Sequence, residues 1–209
     1  MKAPSITDIP EGKLVAFLWN WAGPWRRVAM PPATELPLAE RLQVVPAQIG
    51  LPRQAFGDID ALVLSKGNAA AARAIQYKRV KITASTFMTR EPNKLHELTK
   101  AVQQANALLM VGLAYVWVQI IVVTDARAHS GGSYLVSAPQ DLIDRVQAAL
   151  PLSALDDRVG VVITEIVQSV DRPVEETGGF GGKILRLAQP QKQPEAITEA
   201  IAKLFAQAA

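Results

Sequence analysis

The sequence of 209 residues contains no cysteine and only two histidines, His96 and His129. The missing cysteines exclude disulfide scaffolds, Cys-ligated zinc, iron–sulfur clusters and thiol nucleophiles. Two isolated histidines also argue against a His-rich zinc site or a non-haem iron site. Candidate catalytic or metal-binding residues must therefore be sought among carboxylate, amide and amine side chains.

Signals for export or membrane insertion are also lacking. The N-terminus does not show the basic-then-apolar pattern of a signal peptide. The apolar run from Ala107 to Val123 is short for a spanning helix. It is divided by Gly112, and the β-branched residues after that glycine favour a buried strand. We therefore expect a cytoplasmic protein that does not contact a membrane.

Positive charge is concentrated in one segment. The formal net charge is only +3, yet residues 66–100 hold eight Lys or Arg against two acidic residues, Glu91 and Glu97. A local basic surface favours a polyanionic partner such as nucleic acid. An ordinary solvated face is the alternative.

Apolar periodicity predicts a mixed α/β protein. Predicted strands cover residues 55–65, 73–83, 115–124, 159–170 and 183–187, and the turn Lys66-Gly67-Asn68 joins the first two as a hairpin. Predicted helices cover 94–111, a segment from Ser137 to Leu150, and a last one starting at Pro194. We expect a mixed β-sheet flanked by helices in one domain (residues 1–209). Its core spans about residues 40–170, with a Trp-rich segment before it and a hairpin plus helix after it.

The Trp-rich segment contains Trp19, Trp21 and Trp25. Clustered tryptophans can stack on nucleic-acid bases. They more often close one end of a hydrophobic core, and we favour that interpretation.

Two neighbouring strands carry the candidate chemistry. Side chains alternate along a strand, so Asp58 shares a face with Asp60, and Gln76 shares a face with Lys78. If the strands pair, Asp60, Gln76 and Lys78 converge. A carboxylate and a neutral carbonyl oxygen are ligands that Mg²⁺ accepts, and an ammonium group can orient water or stabilise charge on a phosphate.

This pattern resembles the PD-(D/E)XK nuclease superfamily, which has the restriction-endonuclease-like fold. The matching residues are Gly57-Asp-Ile-Asp60 before an apolar run and Ile75-Gln-Tyr-Lys78 on the next strand, followed by the helix 94–111 and the strand 115–124. The resemblance covers Phe56 to Asp125. Gln76 replaces the usual acidic residue, as in the Gln-x-Lys variant of Mrr-like restriction enzymes.

The resemblance implies a restriction-endonuclease-like mixed sheet and a DNA endonuclease that uses Mg²⁺ or Mn²⁺. Asp60 would be the metal ligand, Gln76 the second ligand position and Lys78 the catalytic lysine. The superfamily often adds a glutamate from a preceding helix, and Glu40 or Glu35 is the candidate. Asp58 is interpreted as a turn residue, with an additional ligand role as the alternative.

Three basic residues are candidates for contacts to the nucleic-acid backbone: Arg79 and Lys81 on the face opposite Lys78, and Lys100 on the helix. Because Gln76 carries no charge, a catalytically inactive nucleic-acid-binding or assembly protein with the same fold is the alternative function. A third hypothesis is an interaction protein whose tryptophans and apolar strands form an oligomer interface. Cleavage of both DNA strands would favour a homodimer.

Overall fold

The computed structural model describes residues 3–20, 29–32, 36, 38–51, 57–135 and 137–207. Within these ranges the strands are β1 Leu38–Val44, β2 Ile59–Ser65, β3 Arg73–Ile82, β4 Tyr115–Asp125, β5 Gly160–Gln168 and β6 Gly179–Arg186. The helices are α1 Glu11–Asn20, α2 Ala84–Thr89, α3 Glu97–Met110, α4 Gln140–Ala149, α5 Val174–Thr177 and α6 Glu195–Ala206.

The strands form one six-stranded sheet in the order β1 to β6. Strands β3, β4 and β5 pair in parallel, whereas the pairs β1–β2, β2–β3 and β5–β6 are antiparallel. The parallel strands β4 and β5 are almost continuously apolar, as expected for strands that are covered on both faces. The predicted mixed sheet flanked by helices is therefore confirmed, and so is the predicted hairpin of β2 and β3.

Each face of the sheet has its own hydrophobic core. Helices α3, α4 and α6 pack on one face and contribute, among others, Leu98, Val102 and Ile201. Helix α1 packs on the other face through Leu14, Leu18 and their neighbours. Apolar residues at a spacing of three and four along α1 and α3 give each helix the stripe that this packing requires.

Three predicted boundaries differ from the structure. Helix α3 begins at Glu97 instead of Lys94, because Lys94 has a φ of 71°, which a right-handed helix does not allow. The last predicted strand, residues 183–187, starts earlier in the structure, because β6 begins at Gly179 and includes the glycines before Lys183. The first predicted strand begins only at Ile59, since Gly57 and Asp58 do not belong to the strand and Gly57 has a φ of 67°; Ala55 and Phe56 lie outside the described residues.

The apolar run 107–123 divides as its glycine predicted. Helix α3 ends at Met110, Gly112 takes a φ of 97°, and β4 begins at Tyr115. Among the described residues, no helix has the length and apolar character needed to cross a bilayer.

Candidate functional site at the open edge of β3

Strand β3 has different neighbours along its length. Its pairing with β2 ends where Ala61 faces Ile75, whereas its pairing with β4 continues to Ile82. From residue 76 onward, the side of β3 that faces β2 is therefore without its partner strand. At Lys81 a single antiparallel bridge forms with Asn93, whose N–H donates to the Lys81 carbonyl at 3.2 Å. We call the stretch before it, residues 76–80 on the β2 side, the open edge of β3. Strand backbone groups need hydrogen-bond partners, and here side chains supply them.

Asp60 binds the first backbone amide of the open edge. It lies near the start of β2, where that strand still pairs with β1 but no longer with β3. Its Oδ2 accepts the N–H of Tyr77 at 2.8 Å, and its Oδ1 accepts Nε2 of Gln43 at 3.4 Å. The predicted site residue Asp60 is thereby fixed against β3, the strand that carries Gln76 and Lys78.

Glu11 binds the second amide of the open edge. Its Oε2 accepts the N–H of Arg79 at 2.6 Å, and its Oε1 lies 3.7 Å from Nζ of Lys78. Glu11 is the first residue of α1 and lies 68 positions before Arg79 in the sequence. The Lys78 side chain is only 11% exposed, so this carboxylate is its buried counter-charge.

Helix α1 is attached to β3 at a second point, which holds Glu11 in place. Near the other end of the helix, Nε1 of Trp19 donates to the hydroxyl of Tyr77 at 3.0 Å. That hydroxyl donates in turn to the carbonyl of Ala29 at 2.7 Å. Trp19 is buried, which supports a core role for this member of the Trp-rich segment. Trp21 and Trp25 lie outside the described residues.

Gln76 is fully buried beside the same edge. Its Nε2 donates to the backbone carbonyl of Asp58 at 3.2 Å, while its Oε1 has no hydrogen-bond partner. A buried amide oxygen without a donor is costly in a folded protein. The unsatisfied acceptor therefore marks a place where a cation or a donor group fits.

The surroundings of Asp60 change its acidity. Burial raises the pKa of Asp60 from its ordinary value of 3.8 to about 6. Lys78 and the Tyr77 amide act in the opposite direction, and the charge of Glu11 raises the pKa further. Asp60, Glu11 and Lys78 therefore interact as one electrostatic group.

Other predicted residues lie away from this group. Asp58 is exposed, and only its backbone carbonyl takes part, through Gln76. Glu40 pairs with Val63, which belongs to the core under α1, so Glu40 lies on the face opposite Gln76 and Lys78. The prediction that Glu40 supplies the additional glutamate does not fit this placement, and the glutamate that lies beside Lys78 is Glu11. The other candidate, Glu35, lies outside the described residues.

The basic candidates differ in exposure. Lys100 is exposed on α3, and Lys81 is half-buried. Arg79 was expected to contact solvent or the nucleic-acid backbone, but its residue is only 7% exposed. It is withdrawn from solvent because α1 covers the face of β3 to which Arg79 belongs, as the contact of Glu11 with its backbone shows.

The donor set suits a hard cation. The carboxylates of Asp60 and Glu11 and the unsatisfied Oε1 of Gln76 are oxygen ligands of the type that Mg²⁺ and Mn²⁺ accept. A cation would also offset the cost of keeping Asp60 ionised in a buried place. The set is small, since no cluster of three or more His, Asp or Glu side chains suited to a metal occurs in the described part of the chain.

Comparison with known proteins adds no function. No family model and no curated protein matches the chain. The solved structures include a similar chain, the SPO1766 protein of unknown function from Silicibacter pomeroyi. It has 13% sequence identity and a TM-score of 0.37 over 81% of this chain and 73% of that one.

Glu11 was missed by the sequence analysis although a signal was present. Pro10 precedes it, and Leu14, Val15 and Leu18 follow at helical spacing. These residues predict a short amphipathic helix with a glutamate in its first turn.

Proposed function

We propose that the chain is a metal-dependent endonuclease that hydrolyses DNA phosphodiester bonds. The observation that carries the proposal is the placement of two carboxylates at the open edge of β3, where Asp60 binds the Tyr77 amide and Glu11 binds the Arg79 amide beside Lys78, with the buried Gln76 on the same strand. Three of these residues, Asp60, Gln76 and Lys78, come from the pair of strands that motivated the resemblance, and Glu11 comes from a helix that precedes them. A phosphodiester is anionic, so hydrolysis needs positive charge beside the scissile group.

Asp60, Glu11 and Gln76 would hold Mg²⁺ or Mn²⁺ in this site. When bound, such an ion neutralises the phosphate and lowers the pKa of a coordinated water. Asp60 contributes a carboxylate that Tyr77 and Gln43 hold in place. Gln76 contributes a neutral oxygen, so the set of ligands carries one negative charge fewer than a set with an acidic residue at that position.

Lys78 is the residue that we assign to charge stabilisation or to the orientation of the attacking water. Its ammonium group lies in a largely buried position with Glu11 as its counter-ion. At 3.7 Å this ion pair is long, so the ammonium retains donors for a phosphate oxygen or a water.

DNA is the proposed partner. Lys81 and the exposed Lys100 belong to the basic segment 66–100 that contains the site, and both are candidates for contacts to the backbone of a bound strand. Cleavage of both strands would favour a homodimer, which provides two sites. The absence of cysteine fits a reducing cytoplasm as the location.

The test is cleavage of supercoiled plasmid with Mg²⁺, with Mn²⁺ and with EDTA. We expect metal-dependent nicking by the native chain and a loss of at least about 100-fold in Asp60→Asn and in Lys78→Ala. Asp60→Asn keeps an acceptor for the Tyr77 amide, so it separates chemistry from folding. Asp58→Asn is the matched control, because the same change two residues earlier falls on an exposed side chain.

Cleavage that persists in both Asp60→Asn and Lys78→Ala would refute the assignment. A catalytically inactive nucleic-acid-binding protein is the second candidate, and one observation favours it. Both carboxylates already accept backbone amides of β3, which gives each a structural role without a metal. DNA binding that weakens with salt, together with no cleavage in either metal, would select this candidate.

A further inference from the structure

The hydroxyl of Tyr77 uses both of its hydrogen-bonding roles on the N-terminal part of the chain. It accepts Nε1 of Trp19 at 3.0 Å and donates to the carbonyl of Ala29 at 2.7 Å. Tyr77 and Trp19 are both buried, so water does not replace either bond when it is lost. The hydroxyl therefore fixes the end of α1 that is distant from Glu11.

The same residue stands inside the candidate site. Tyr77 lies between Gln76 and Lys78 in β3, and its backbone N–H is bound by Asp60. Strand alternation places its ring on the opposite face of the sheet, where it belongs to the core under α1. One buried side chain thus connects the strand that carries two site residues to the helix that carries a third, Glu11.

The position of α1 along the sheet depends on directional bonds. The apolar stripe of the helix is buried on this face of the sheet, and apolar burial has no preferred direction. Directional bonds to β3 are formed at the two ends of the helix, by Glu11 and by Trp19, which a helix places about 12 Å apart along its axis. When Glu11 serves as a ligand, its bond to the Arg79 amide is weakened, and the bond between Trp19 and Tyr77 still holds the helix in position.

We propose that Tyr77 is a positioning residue of the candidate site, whose hydroxyl sets where Glu11 lies relative to Lys78. The inference rests on the proposed function, in which Glu11 is a metal ligand. The hydroxyl acts at a distance, because it is buried under α1 on the face opposite Gln76 and Lys78. Replacement of residues that hold a metal ligand without touching the metal commonly changes metal affinity by about 10- to 100-fold.

Binding of Mn²⁺, measured by electron paramagnetic resonance, tests the proposal without cleavage. Tyr77→Phe keeps the backbone N–H for Asp60 and removes only the hydroxyl, so we expect it to bind Mn²⁺ about tenfold more weakly than the native chain. Trp19→Phe removes the other partner of the same bond and should change the affinity in the same direction. Tyr115→Phe is the matched control, because this ring lies on the same face one strand away, under Arg73, and its affinity should stay within about twofold.

Combination with Glu11→Gln shows whether Tyr77 acts through Glu11. In the Glu11→Gln background, Tyr77→Phe should weaken Mn²⁺ binding by less than about twofold, because the ligand that it positions is already changed. The proposal is overturned if Tyr77→Phe loses the same tenfold in that background. It is also overturned if Tyr77→Phe lowers the Tm and leaves Mn²⁺ affinity unchanged, since the hydroxyl then supports only the fold.

The Tm of the metal-free protein separates this inference from the proposed function. Tyr77→Phe and Glu11→Gln should each lower the Tm, and the double variant should lose less than the sum of the two losses. If the native chain binds no Mn²⁺, the endonuclease proposal fails and this coupling decides alone. Losses that are smaller than additive then leave the positioning of Glu11 by Tyr77 standing, whereas additive losses overturn it as well.

Discussion

The two halves of strand β3 obtain hydrogen-bond partners for their backbone groups in different ways. Residues 73–75 pair with β2 on one side and β4 on the other, and Nη1 of the arginine there donates to Oγ of Ser65. From residue 76 to residue 80 the β2 side is open, and the carboxylates of Asp60 and Glu11 accept backbone amides in place of a strand. One strand thus contains a purely structural half and a half that assembles charged side chains.

Polar groups collect at one place in an otherwise apolar sheet because β3 separates from β2 there. A strand that separates from its neighbour exposes amides, and each exposed amide must find an oxygen. Carboxylates are good acceptors for amides, but they bring negative charge into a buried region. Lys78 and Arg79 are the cations that offset this charge, and the acceptor of Gln76 and the donors of Arg79 remain unsatisfied.

Removal of Glu11 should have the largest effect on stability. In Glu11→Ala the Arg79 amide loses its acceptor and the buried Lys78 loses its counter-ion, so we expect the free energy of unfolding to fall by about 3 kcal/mol. Glu11→Gln keeps an acceptor oxygen and should lose about half as much. Urea unfolding monitored by circular dichroism measures both values.

Glu40→Ala is the control for this prediction, because Glu40 lies on the edge strand β1, two strands away from the open edge of β3. We expect a change within about 1 kcal/mol for that variant. Equal stability of Glu11→Ala and the native chain would show that β3 does not need a carboxylate at its open edge.

The second prediction concerns the pH dependence that Asp60 causes. Its pKa is raised from 3.8 to about 6, so between these values the folded chain binds more protons than the unfolded chain. Stability should therefore fall as the pH rises from about 4 to about 6, by roughly 2 to 3 kcal/mol from this group alone. Asp60→Asn does not titrate, so it should gain that amount relative to the native chain between pH 4 and pH 7.

Unfolding in urea at pH 4 and pH 7, without divalent ions, measures the difference between the two proteins. Asp58→Asn provides the comparison at an exposed carboxylate close to the same strand. Parallel stability profiles for Asp60→Asn and the native chain would mean that Asp60 titrates normally. Addition of Mg²⁺ should reduce the loss of stability that the native chain shows at pH 7, since a cation favours the ionised carboxylate.

Much of the fold could be predicted because its central elements are long and strongly patterned. The apolar run of β4, the stripe of α3 and the turn at Lys66-Gly67 each have one plausible structure. The shorter edge elements could not be placed in this way. Strand β1 has a mixed burial pattern, and the glycines of β6 have low strand propensity.

The candidate site was predictable only for the residues that one hairpin places together. Asp60, Gln76 and Lys78 follow from strand alternation and pairing, since these relations are local in sequence. Glu11 reaches β3 across 68 positions of the chain, and no local pattern encodes such a contact. The burial of Arg79 depends on the same packing of α1, so its environment was likewise beyond reach from the sequence.

The smallest effect is expected at Gln43, and it tests how tightly Asp60 is held. Gln43 has a φ of 53°, a conformation that costs a non-glycine residue about 1 kcal/mol, and its amide donates to Asp60 over a long distance of 3.4 Å. Gln43→Gly relieves the backbone strain and should raise the free energy of unfolding by up to about 1 kcal/mol. Gln43→Ala loses the weak bond without that relief and should lower it by less than about 1 kcal/mol. If Gln43→Gly is instead as destabilised as Glu11→Ala, the amide of Gln43 is a main support of Asp60, and the contrast between the two halves of β3 extends to the neighbouring strand.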